Sequence, residues 1–148
     1  MRVLLKAAAI LALIGCGGAK TQTQTQTDAS PGGPKLTPAV EGAAWVNKMP
    51  GFVERDSLGQ PIYPGRFLLK VYGEADVIKI LIKAGEREVG EFAAENLLRR
   101  DQGKWTEYLV QRELRITEQD TLSVRVWMVV GKDTLMSFLP SVPVKAVY

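Results

Sequence analysis

Cys16, inside "LALIGCGGAK", is the only cysteine of the chain, and a lone thiol can be a nucleophile, one half of a disulfide or a point of covalent attachment. The other chemistry-bearing residues narrow the field. Histidine is absent from all 148 residues, which removes Ser-His-Asp and Cys-His arrangements, H-E-x-x-H zinc sites and any histidine general base. Neither Gly103-Lys104 nor Gly131-Lys132 is followed by Ser or Thr or preceded by the spaced glycine of a phosphate-binding loop, and no G-x-G-x-x-G, S-x-x-K or EF-hand pattern occurs. The 16 acidic residues could work in pairs, as in glycoside hydrolysis, but they are scattered over strand faces and turns and no pair stands out. In the Pro- and Gly-rich stretch "NKMPGFVERDSLGQPIYPGR", residues 47–66, Glu54 and Asp56 could hold a calcium ion if this is a functional loop; a plain connection is the simpler reading. Trp45, Trp105 and Trp127 could stack on sugars or partners, although large aromatics at strand positions usually belong to the core. No metal or cofactor is implied.

The segment that holds Cys16 points to attachment. "MRVLLKAAAILALIGC" has a short positive end, then Ala7 to Ile14 without a charge, then a small residue, which is the order of a secretory signal. A membrane-spanning helix needs about 20 apolar residues, more than twice this run. Leu13-Ile14-Gly15-Cys16 resembles the lipobox of bacterial lipoproteins: Leu, a small or aliphatic residue, Gly or Ala, then an obligatory Cys. The resemblance implies a signal peptide over 1–15, cleavage between Gly15 and Cys16, diacylglycerol on the Cys16 sulfur and usually a third acyl chain on the new amino terminus. A sulfur used as a thioether forms no disulfide, thiolate or metal site. Two or three chains anchor stably, since each buried methylene contributes about 0.8 kcal/mol. Gly17, rather than Asp, implies sorting to the outer membrane, facing the periplasm, in a two-membraned cell; in a single-membraned cell the anchor lies in the outer leaflet of the cell membrane.

Residues 16–38 continue as "GGAKTQTQTQTDASPGGPKLTP" after the lipidated cysteine, too poor in apolar side chains to offset their ordering entropy, and read as a disordered linker. About 21 such residues reach about 25 Å on average and about 70 Å when stretched, enough to hold a domain clear of a membrane. Removal of Arg2 and Lys6 with the leader lowers the basic count from 19 to 17, against 16 acids, so no basic footprint for nucleic acid is left.

From about Ala39 to the end at 148, enough chain for one ordinary core, the apolar pattern has a period of two. "RFLLKVY" at 66–72 and "VIKILIK" at 77–83 read as strands joined into a hairpin by "GEAD", with Ile78, Ile80 and Ile82 on one face. "REVGEF" reads as a third strand after the turn "AGE". In "EFAAENLLRRDQG", Phe92, Ala93, Leu97 and Leu98 fit one helical face, so a short helix or helical crossover is expected near 91–100. Strands follow at 105–116, 121–130, 134–139 and 142–147, divided by "TEQD", "GKD" and "PS". The fold class is mainly β, an antiparallel β-sandwich. "LRITEQDTLSVRVWMV" loosely resembles the corner of an immunoglobulin-like sandwich, without the paired cysteines and with Leu122 and Val124 where a corner tyrosine would stand.

One strand face carries the candidate surface. Alternation sends Leu122, Val124, Val126, Met128 and Val130 to the core and Ser123, Arg125, Trp127 and Val129 outward. A two-residue turn at Gly131-Lys132 then sets Trp127 opposite Met136 and Arg125 opposite Phe138. That face is either covered by a second layer such as the helix, which is the favoured reading, or open to a partner. The expected function is a lipid-anchored, non-enzymatic interaction or assembly module of the cell envelope with a protein partner; the alternatives are a glycan- or small-ligand-binding domain and a carboxylate-dependent hydrolase.

Overall fold

The computed structural model of the protein describes residues 37–51 and 54–148. The signal peptide, Gly15, Cys16 and nearly all of the linker lie outside the described residues. The strands are β1 (Ala39–Asn47), β2 (Glu54–Arg55), β3 (Pro61–Ile62), β4 (Gly65–Tyr72), β5 (Asp76–Ala84), β6 (Arg87–Ala93), β7 (Leu97–Asp101), β8 (Trp105–Val110), β9 (Thr121–Val130) and β10 (Asp133–Val147). β2 and β3 form a small ribbon, and the other eight make one curled sheet in the order β6-β5-β9-β10-β1-β4-β8-β7. Its halves face each other as a β-sandwich, with β1-β4-β8-β7 as the first sheet and β6-β5-β9-β10 as the second. This order is the immunoglobulin-like arrangement of A-B-E-D against G-F-C, with β6 added beside the strand equivalent to C.

Alternation builds the core. Phe67, Leu69 and Val71 of β4 and Leu122, Val124, Val126 and Met128 of β9 point inward from opposite sheets, each fully buried. Tyr108 of β8 ties the sheets together at the crossover between β4 and β5: its hydroxyl donates to Ala75 O (3.3 Å) and accepts from Val77 N (3.4 Å). Ser137 is buried as well, and its Oγ has no partner among the described residues, at a cost of about 1–3 kcal/mol.

Several connections differ from the sequence reading. "GEAD" does not close a hairpin: β4 pairs with β1 and β8, whereas β5 pairs with β6 and β9, so the loop carries the chain from one sheet to the other. Ile78 is exposed rather than aligned with Ile80 and Ile82, because a register shift between Val77 and Lys79 puts Val77 into the core instead. The expected helix near 91–100 is a single 3-10 turn, Ala94–Asn96, between strands. Phe92 and Leu97 are both buried, as the helical face required, but they reach the core from the edges of opposite sheets. The strand expected over 105–116 stops at Val110, and a loop follows to Asp120. Pro140-Ser141 does not divide two strands either. It is a bulge in one 15-residue strand, whose first part pairs with β9 and whose last part pairs with β1 in parallel, the one parallel pairing in the curled sheet.

Candidate functional site

The β9–β10 hairpin has the register that alternation and the turn predict. Gly131 takes a positive φ of 62°, which glycine adopts without steric cost. Trp127 then faces Met136, and Arg125 faces Phe138. β5 extends both rows, with Lys79 beside Trp127 and Leu81 beside Arg125, and β6 completes them with Ala93 and Glu91. The Lys79 ammonium lies 4.4 Å from the centroid of the Trp127 ring and 3.8 Å from Glu91 Oε2. The Arg125 guanidinium lies 5.9 Å from the Phe138 centroid, and no carboxylate pairs with it among the described residues.

Among the described residues no layer covers this face, because the segment expected to supply one is edge strand and turn. Trp127, Met136 and Phe138 are half-buried by their neighbours in the sheet, and Arg125 and Ile78 are exposed. Paired β-strands hold the four candidate residues in fixed relative positions, which a loop would not do.

The other tryptophans correct a broader expectation. None of the three is in the core; Trp45 and Trp105 also stand half-buried on an outward face, that of the first sheet. The inward positions hold slimmer side chains, Phe67 being the largest of the fully buried ones, so the outward parity is where the indoles fit. Around Trp105 the polar atoms satisfy one another. Its Nε1 donates to Glu107 Oε1 (3.1 Å), the Lys70 ammonium lies 5.0 Å from its ring, and Tyr72 packs on it at 6.0 Å. The Tyr72 hydroxyl donates to Glu41 Oε2 (3.0 Å). That hydrogen bond, helped by desolvation and by the Glu41 charge, raises the Tyr72 pKa above the ordinary tyrosine value.

Glu54 and Asp56 form no metal centre with other groups; no cluster of three or more candidate ligands occurs among the described residues. Asp56 Oδ1 instead accepts the backbone N–H groups of Leu58 (2.9 Å) and Gln60 (2.8 Å), shaping the turn between β2 and β3. Comparison with protein families, curated proteins and solved structures finds no match for the chain.

Proposed function

We propose that the protein is a lipid-anchored component of the cell envelope, held through acyl chains on Cys16, whose sandwich docks a protein partner through the outward face of the second sheet and performs no catalysis of its own. The observation that carries this reading is the gathering of Trp127, Met136, Phe138 and the unpaired Arg125 on one rigid, half-exposed face. Aromatic, methionine and arginine side chains are the types enriched where proteins meet. A carboxylate on the partner would find Arg125 without a competing internal acid. A glycan is served less well, since Lys79 already occupies a face of the Trp127 ring.

The lipobox and the single cysteine support the anchor, and the envelope location follows from it: the outer membrane facing the periplasm if there are two membranes, otherwise the outer leaflet of the cell membrane. The test has two arms. Intact mass of the membrane-extracted protein is expected to show cleavage before Cys16 with acyl chains added, and Cys16→Ala is expected to accumulate as uncleaved precursor; an unmodified Cys16 in the membrane fraction overturns the anchor. Crosslinking in intact membranes followed by pulldown is expected to recover a defined envelope protein with the natural chain and to lose it with Trp127→Ala. Equal recovery by the two overturns the docking face.

A further inference from the structure

Residues 46–48 and 56–63 meet the loop after β8 at the end of the sandwich opposite the start of β1, and between them lies a cavity of about 600 Å³, within the range of small-molecule sites. Val46, Ile62, Tyr63 and Ile116 line it with apolar surface, and Lys48, Arg87 and Arg115 bring cationic side chains to it. Five of the seven exposed large hydrophobic residues among the described ones, Met49, Leu58, Ile62, Val147 and Tyr148, belong to the loop segment and carboxyl terminus at this end.

The wall formed by residues 111–120 is held by independent ties. Leu114 and Gly65 exchange two backbone hydrogen bonds (2.9 and 3.2 Å). A Cβ on Gly65 would stand 2.5 Å from both Ile116 Cγ1 and Leu114 O, so only glycine lets the loop lie this close to β4. Arg87 donates to Arg115 O (2.9 Å) and pairs with Asp120 Oδ2 (3.3 Å), while Asp120 also accepts from Thr117 N (2.7 Å). Lys48 pairs with Glu118. A loop pinned at so many points presents a fixed surface.

The same ties settle the charge. Lys48 is committed to Glu118, Arg87 to Asp120, and Asp56 to backbone N–H groups of its own turn. Arg115 has no carboxylate within ion-pair distance among the described residues, so it is the one cation of the lining left open to a ligand; the Asp56 carboxylate, the other unpaired charge of the lining, is held by two backbone N–H groups of its own turn. We propose that this cavity binds a small amphipathic organic anion, its ring or short acyl body against Val46, Ile62, Tyr63 and Ile116 and its single negative group on Arg115. The site is separate from the Trp127 face and stands or falls independently of it.

Equilibrium titration of the full chain with anilinonaphthalene sulfonate and with its uncharged analogue N-phenylnaphthylamine tests this. The natural chain is expected to show one saturable site that holds the sulfonate about tenfold more tightly than the neutral probe, the worth of a charge-assisted contact. Arg115→Gln is expected to abolish that preference while leaving the neutral probe within about twofold, Arg115→Lys to restore much of it, and Arg112→Gln, beside the cavity, to change nothing. Thermal melting of each variant checks that the fold is kept. Equal binding of the two probes by the natural chain, a preference that survives Arg115→Gln, or no saturable binding overturns the proposal.

Discussion

On the outward face of the first sheet, Glu41, Lys70, Glu107 and Arg100 follow one another across four strands with alternating sign, beside a second row of Ala43, Leu68, Leu109 and Leu98. On the outward face of the second sheet, the row Glu91, Leu81, Arg125 and Phe138 holds a single acid, which pairs with Lys79 of the neighbouring row and leaves Arg125 unmatched. Both faces carry a half-buried tryptophan under a lysine, Trp105 with Lys70 and Trp127 with Lys79. They differ in what surrounds the pair. Glu107 accepts from Trp105 Nε1 and Gln102 Nε2 (3.3 Å), and Glu41 accepts from Tyr72, so both acids of the first-face row are engaged within the face. Partly exposed aromatics therefore occur on both faces, and what distinguishes the proposed docking face is a row with one acid, already paired with Lys79, against two acids in the corresponding row of the first face.

The sandwich is held together by its inward side chains rather than by either outward face. Phe67 and Leu68 are adjacent on β4 and point to opposite sides, Phe67 fully buried and Leu68 half-buried on the first face. Phe67→Ala is expected to cost about 3–5 kcal/mol in chemical denaturation, and Leu68→Ala about 1 kcal/mol. Similar losses would show that the outer face is structural.

A smaller effect separates the two tryptophans. Trp105→Ala, which removes a hydrogen bond, a ring contact and a cation–π contact, is expected to cost about 1–3 kcal/mol and to leave partner recovery intact. Trp127→Ala is expected to cost about 1–2 kcal/mol and to abolish recovery. Loss of recovery with Trp105→Ala, at a stability equal to that of Trp127→Ala, would move the docking face to the other sheet.

The smallest effect tests the internal compensation of the first face. Because Tyr72 donates to Glu41, its phenol should titrate above the ordinary tyrosine value, and Glu41→Gln should return it toward that value, read from phenolate absorbance. The linked contribution to stability is fully present below the ordinary tyrosine pKa and is lost as pH rises through the raised one. A Tyr72 titration indifferent to Glu41→Gln would show that the face is not self-satisfied.

What could be read from the sequence was what neighbours along the chain decide. β9 and β10 meet across a two-residue turn, so side-chain parity and turn geometry were enough to pair Trp127 with Met136 and Arg125 with Phe138. Leu122, Val124, Val126 and Met128 declared the inner face for the same reason: a strand repeats every two residues wherever it lies. The fate of "GEAD" was not legible, because β4 finds its partners in β1 and β8, far away in sequence, and a four-residue loop can close a hairpin or cross between sheets with the same composition. β1 carries Gly42, Ala43 and Ala44 in its middle, and this weak strand signal becomes a central strand only because β4 and β10 flank it. "EFAAENLLRRDQG" satisfied a helical spacing through Phe92 and Leu97, yet both reach the core from separate sheet edges joined by one 3-10 turn. The cavity beside Arg115 needed the fold as well, since its walls come from residues 46–48, 56–63 and 115–119 and from Arg87, and the approach of the last loop is set by the pairing of Gly65 with Leu114. Alternation, turn chemistry and charge count are local properties and can be read off the chain by itself; which strands become neighbours, and which charges remain unpaired, depends on contacts between distant residues that only the packed sandwich brings about.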